Sequence, residues 1–182
     1  MLATAECQWH GDRSNRTTLV ESFDAGKTWR YVSTIAYEHH SPGDGICEAV
    51  MLRLNDDSLL CVLRRGGKLP MGQARSIDDG KTWSPIELLH GHGVDPDLCL
   101  MSNNILACTY GRPGRFIMFS TDGTGKQWSH HTPIGDWKGS SYMSIAQIAP
   151  DKLLIVHDYS EGSRDPEPCY IGSTILTVTR KA

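Results

Sequence analysis

A chain of 182 residues with 39% hydrophobic content and a formal net charge of −3 is long enough for a domain with its own core, and its composition is that of an ordinary globular protein. No Lys/Arg run exceeds two residues, which excludes a nucleic-acid or polybasic membrane surface, and no apolar stretch is long enough for a membrane span. Met1 leads into a mixed segment without the basic and apolar regions of a signal peptide.

In chain order, the pattern predicts strands over 16–22 and 29–35, joined by Ser22-Phe23-Asp24-Ala25-Gly26-Lys27-Thr28-Trp29. A hairpin follows, 47–54 and 58–64, turning at Asn55-Asp56-Asp57. Strands over 71–76 and 83–88 then flank Ser76-Ile77-Asp78-Asp79-Gly80-Lys81-Thr82-Trp83. The same order recurs: a hairpin, 98–101 and 105–110, turning at Ser102-Asn103-Asn104, then strands 116–120 and 128–134 around Ser120-Thr121-Asp122-Gly123-Thr124-Gly125-Lys126-Gln127-Trp128. A last hairpin, 142–148 and 152–159, turns at Ala149-Pro150-Asp151 and precedes a strand over 170–179 rich in Ile, Thr and Val. No segment has helical periodicity, so the chain reads as all-β.

The octapeptide is thus present in two near-perfect copies and one worn copy, its aspartates 54 and then 44 residues apart, which signals a repeat architecture. An Asp can close a local turn on backbone N–H groups ahead of it, Gly26 and Gly80 can take positive φ, and the Trp supplies an apolar anchor. The aspartates therefore read as turn residues. Ser-x-Asp-x-Gly-x-Thr-Trp resembles the Asp-box (BNR repeat) of the sialidase superfamily, which implies a sialidase-like β-propeller with the box between the third and fourth strands of each blade. On that reading the chain is one partial propeller domain of about 3.5 to 4 four-stranded blades, near 2–38, 46–90, 93–135 and 139–182. A propeller of four to eight blades needs more chain or a second copy, because an open half-ring exposes apolar faces and strand edges. Homo-oligomerisation is the expectation if the chain exists alone.

Blade topology puts the boxes and hairpin turns at one end of the sheets. The opposite end collects Glu48, Arg64, Arg65, Asp95, Asp97, Arg112, Arg115, Tyr142, Asp158 and Arg164. Glu48 ahead of an apolar strand, with Arg64 closing the next, resembles the sialidase segment carrying a catalytic Glu and a triad arginine. Tyr110-Gly111-Arg112-Pro113-Gly114-Arg115 resembles the segment of the next triad arginine, with Arg112 better spaced from the box than Arg115. Gly139-Ser140-Ser141-Tyr142-Met143-Ser144 resembles the surroundings of the nucleophilic tyrosine, and Asp158 stands where that family commonly has Glu. The resemblance covers about 14–180, matching the C-terminal two thirds of a sialidase catalytic domain. It implies a retaining exo-glycosidase for a terminal acidic sugar. Tyr142 would be the nucleophile and Glu48 its base, with Arg64 and Arg112 or Arg115 the carboxylate clamp. Apart from the resemblance, Asp95 and Asp97 on either side of Pro96 read as an acid or substrate-binding pair. The family's first clamp arginine and acid aspartate have no clear counterpart, although Asp12 and Arg13 lie near the start.

Two other readings stand beside it: a non-catalytic propeller binding carbohydrate or protein, and a different propeller carbohydrate enzyme. No cofactor is implied. The pairs His39-His40, His90-Gly91-His92 and His130-His131 lack a Cys or carboxylate at metal-site spacing, so no metal is expected. Cys7, Cys47, Cys61, Cys99, Cys108 and Cys169 form no CxxC and no disulfide framework. Buried, reduced thiols are expected, which favours a cytosolic setting. Asn15-Arg16-Thr17 is a glycosylation triplet of a kind that arises by chance.

Overall fold

The computed structural model describes residues 1–129, 131–136, 139, 141–159 and 170–179, Tyr159 by its backbone. Ser140, Arg164, Cys169 and His130, singled out above, lie outside the described residues.

The described residues are all-β and fall into two compact units, Met1–His92 and Gly93–Ala182. In the first unit β1 (Leu2–Cys7), β2 (Arg16–Glu21) and β3 (Arg30–Ala36) form one sheet. A second sheet holds β4 (Ile46–Arg53), β5 (Leu59–Arg65), β6 (Gly72–Ser76) and β7 (Glu87–Leu88). The second unit repeats the plan with β8 (Val94–Leu100), β9 (Leu106–Gly111), β10 (Arg115–Ser120) and β11 (Thr132–Pro133), then β12 (Met143–Ala149), β13 (Lys152–Tyr159) and β14 (Tyr170–Thr177). Every sheet is an antiparallel meander in which strands adjacent in the chain are paired.

The central strands explain the apolar runs. Leu59 to Leu63 of β5 are all buried, as are Leu106 to Cys108 of β9, because side chains on both faces of these strands meet apolar neighbours. In the first unit Leu19, Ile35 and Ala36 pack against Ile46, Cys61, Leu63 and Ala74 of the second sheet. In the other unit Ala107 and Ile117 pack with Met143, Ile145, Leu153 and Ile155. Each fully buried Leu or Ile contributes about 1.5–3 kcal/mol. The thiols follow suit: Cys47, Cys61 and Cys108 are buried and free, and burial pushes Cys61 up to about 12.

The outer strands are shorter than the sequence pattern suggests. Where 83–88 and 128–134 were expected as strands, β7 and β11 have two residues each. Pro85 and Pro133 remove ladder donors at those edges. Conversely β8 begins at Val94, four residues before the expected start, and carries Pro96 inside a bulge.

The repeated octapeptides behave as closed turns. Asp78 Oδ1 accepts from Ser76 Oγ at 2.7 Å and from the Thr82 amide at 2.9 Å, while Oδ2 accepts from Thr82 Oγ1 at 2.6 Å. Asp24 makes the same set with Ser22 and Thr28. These bonds hold both carboxyls down at about 2. The worn copy compensates for its inserted residue: Thr124 donates to Asp122, and the Gly125 amide reaches Ser120 Oγ at 3.0 Å. The second copy also joins the two sheets of its unit. Trp83 Nε1 donates to Ser33 Oγ at 3.1 Å, and a Cβ on Gly80 would fall on Leu19.

Candidate functional site

At the opposite end of the first unit the ladder is irregular. Ile46 pairs with Arg65 and Cys47 with Arg64, then the register slips and resumes at Val50 with Val62. Glu48 lies in the slip with φ 43°, a left-handed conformation that a non-glycine residue adopts at a cost of order 1–3 kcal/mol. Such a bulge re-aims a side chain. Glu48 Oε1 here accepts a 2.6 Å hydrogen bond from Arg64 Nη1, and Arg64 Nη2 donates to Asp44 Oδ2 at 3.0 Å. The Arg64 side chain is 11% exposed, so its charge is largely withdrawn from water and matched by these two carboxylates. Its Nε makes no hydrogen bond among the described residues. Burial raises the neighbouring Cys47 thiol to about 11, opposed by the Arg64 charge.

Arg65 turns the other way and grips Glu38 through Nε and Nη2, the latter at 2.7 Å. The loops that carry these residues pack backbone on backbone. The Gly66 amide donates to Gly45 O at 2.6 Å, and a Cβ on Gly66 would fall on Pro42 O. Asp44 and Glu38 were not foreseen from the sequence. The available signal was Pro42-Gly43-Asp44-Gly45 just ahead of β4, where glycines permit close approach of backbone. Near the chain start Asp12 grips Arg16 bidentately, Oδ2 to Nε and Oδ1 to Nη2 both at 2.6 Å, and that bond holds its carboxyl at about 2. Arg13 is exposed.

The second unit repeats the device. Val94 pairs with Gly111, the register slips and resumes at Asp97 with Thr109, and Asp95 sits in the slip with φ 47°. A carboxylate thus occupies a left-handed bulge at the same point of the first strand in two successive sheets. Asp97 is a tie: its Oδ2 accepts from Ser144 Oγ at 2.8 Å and the Ile145 amide at 2.9 Å, fastening β8 to β12. Arg112 is partly exposed at φ 55° in the β9–β10 turn, its amide donating to Gly114 O at 3.0 Å. Arg115 is buried, with Nη1 2.6 and 2.9 Å from the His157 ring nitrogens. Burial first, and the Arg115 charge besides, hold His157 below its ordinary pKa.

Tyr142 is 45% exposed. Its amide donates to Asp158 Oδ1 at 2.7 Å, and the same oxygen accepts from Ser141 Oγ at 2.7 Å, so Asp158 secures the backbone that carries the tyrosine. A Cβ on Gly111 would fall on Ser141 O, and Arg112 and Tyr142 follow directly on the two sides of that contact. A cavity of about 680 Å³ in this unit lies elsewhere, lined by Ile105, Ile117, Phe119, Thr121, Leu176 and Val178 among others, at the end that holds the worn octapeptide. Among the described residues, no group of three or more His, Cys, Asp or Glu is placed to hold a metal, and no helix is long and apolar enough to cross a membrane.

Known structures share this plan. A protein of unknown function from Dyadobacter fermentans superposes with a TM-score of 0.79 at 20% identity, over 98% of this chain and 50% of its own. The α-L-arabinofuranosidase of Fusarium graminearum matches with a TM-score of 0.67 at 16% identity, over 96% of this chain and 57% of its own. The intramolecular trans-sialidase of Ruminococcus gnavus matches with a TM-score of 0.57 at 19% identity, over 78% and 33%. The fold is that of a sialidase-like β-propeller. The chain spans half of the length of the Dyadobacter protein, 57% of that of the arabinofuranosidase and 33% of that of the trans-sialidase. No protein-family model matches the chain, and a search of curated proteins finds no match. The likeness is one of fold, and fold does not fix function.

Proposed function

We propose that the chain is the catalytic portion of a retaining glycosidase, with Tyr142 as nucleophile and Glu48 as the base that takes its proton. The phenol oxygen bonds to the anomeric carbon as the glycosidic bond breaks, and the leaving oxygen departs with a proton from water; a second water then attacks the aryl glycoside and gives its proton to solvent, while Glu48 returns its proton to the phenol oxygen. Asp95 serves as the second carboxylate at the sugar, and Arg112, partly exposed, as the ligand for an acidic substituent. Arg64 and Arg115 position neighbours: one is held by Glu48 and Asp44, the other lies against His157. The supporting observation is the shared left-handed bulge that presents Glu48 and Asp95, since backbone strain of this kind clusters at functional sites. An acidic terminal sugar, sialic acid or a uronate, is the substrate class proposed.

The rival is a non-catalytic carbohydrate-binding propeller. One observation favours it: the Glu48 oxygen that would receive a proton already accepts from Arg64 at 2.6 Å. Fluorogenic sialosides, uronides and arabinofuranosides separate the two. The expected result is release of the fluorophore with retained anomeric configuration. Tyr142→Phe and Glu48→Gln should each cut kcat/KM at least about 100-fold while sugar binding persists. No turnover of any of these substrates, with sugar binding intact, would establish the rival.

A further inference from the structure

The loop between β1 and β2 carries a feature that the catalytic reading does not use. Arg16 lies between two aromatic rings, its Cζ 4.0 Å from the Trp9 centroid and 4.2 Å from that of Tyr37. Asp12 holds the guanidinium from one edge and Thr34 Oγ1 accepts from Nη1 at 3.2 Å, so the cation cannot swing away. The loop itself is closed by reciprocal bonds, the Trp9 amide to Asp12 Oδ2 and the Asp12 amide to Trp9 O, both 2.9 Å. One face of the indole is therefore fixed on a buried, charge-neutral pair. Yet Trp9 is 46% exposed, and Tyr31, whose ring meets it at 67° with centroids 5.3 Å apart, is 51% exposed. Two large rings in mutual contact are therefore left about half in water.

The same loop runs into the candidate site. Asn15 bridges to Gly45, its amide donating to Asp44 O at 3.2 Å and its carbonyl accepting from Ile46 at 3.0 Å. Ser14 Oγ donates to the carbonyl of Glu38, the partner of Arg65. The loop that carries Trp9 and the Glu48–Arg64–Asp44 cluster thus stand at one end of the first unit, while Tyr31, paired with Val20 in β3, meets Trp9 from the octapeptide side.

We infer that Trp9 and Tyr31 form a second saccharide subsite, which stacks a neutral sugar ring of an oligosaccharide whose other end lies at the Glu48 cluster. A sugar ring presents an apolar C–H face to an aromatic plane and hydroxyls at its rim. The occupant is neutral because Asp12 already cancels Arg16, leaving no net charge beneath the rings. This inference rests on the carbohydrate reading, though not on catalysis.

The test is titration of the full chain with arabinotriose, galactobiose and 3′-sialyllactose, followed by tryptophan fluorescence and calorimetry, together with kinetics on an aryl monosaccharide. Trp9→Ala should weaken at least one oligosaccharide by 10-fold or more and leave the aryl monosaccharide's KM within about twofold, with Trp9→Phe restoring most of the affinity. Tyr31→Ala, at an exposed ring that secures no loop, should weaken the same ligand about threefold. If Trp9→Ala unfolds the loop, the Tyr31 variant decides alone. Unchanged oligosaccharide affinity in Tyr31→Ala and in a folded Trp9→Ala, or no binding of any of the three sugars to the parent chain, would overturn the inference. Trp9-dependent binding without any turnover would uphold it and remove the catalytic proposal instead.

Discussion

The two ends of the sheets in the first unit are built on opposite principles. At the octapeptide end, every oxygen of Asp24 and Asp78 is used within eight residues of chain, and the longer-range bonds of the second copy come from its other residues, Asp79 to Arg53 and Gly80 and Trp83 to Ser33. At the other end the bonds span the chain: Arg64 reaches Asp44 and Glu48, and Arg65 reaches Glu38, 27 residues away. There too a charge is taken out of water. A turn that satisfies itself can be copied from blade to blade, because its stability needs no neighbour. An end that depends on distant partners cannot be copied without copying the partners as well, and so it differs in each blade and is open to function.

The largest effect that would probe this contrast comes from glycine. Gly66→Ala places a Cβ on Pro42 O and close to the Gly45 amide, backbone atoms that cannot step aside. A loss of about 3 kcal/mol is expected in urea unfolding, at the top of the usual range for overpacking. Gly26→Ala at the octapeptide end meets only Trp29 at 3.6 Å, and its cost of about 1 kcal/mol is that of the positive φ alone. Equal losses would erase the distinction.

Arg64→Met comes next. It removes a cation and leaves Glu48, 21% exposed, facing Asp44 without it. A loss of about 2 kcal/mol is expected by the same assay, below that of a fully buried pair because water still reaches both carboxylates. Neutral or raised stability would show that the bulge holds without its ion pair.

The smallest effect is at the octapeptide end and is read in acid. Asp24 and Asp78 titrate near 2 in the folded chain against an ordinary 3.8. A depressed folded value means the unfolded chain binds more protons, so this stabilisation is complete above about pH 4 and drains away as pH falls toward about 2. The double variant Asp24→Asn, Asp78→Asn should flatten the fall in Tm between pH 4 and 2 and leave Tm near pH 7 less changed than Gly66→Ala does. An unaltered acid limb would mean that other carboxylates carry it.

Much of the fold could be read from local pattern. The octapeptides fold where expected because Ser, Asp, Gly and Thr bond within the motif, and the hairpin turns at 55–57 and 102–104 form because Asp57 and Asn104 accept left-handed backbone at φ 65° and 62°. The shortened β7 and β11 show the limit: a strand-like run containing Pro keeps only a fragment of its ladder. Asp97 was legible only as a companion of Asp95, since one residue of slip in β8 decides that Asp95 leaves the ladder while Asp97 turns to β12. Spacing to the octapeptide favours Arg112 over Arg115 but carries no physical reason. Burial against His157 separates them, and His157 comes from another sheet.

The amino-acid order alone therefore determines the elements whose energetics close within a few residues: the repeated turns, the apolar central strands, the all-β class and the end of the sheets where unrepeated charges gather. The tertiary structure alone decides which charge meets which, that Arg64 is shared by Glu48 and Asp44, that Arg16 is clasped by Trp9 and Tyr37, and that Asp158 holds backbone. Those pairings depend on bulges that shift the facing of whole strands by one residue, and on side chains brought together from as far as 42 positions apart. No local periodicity records either.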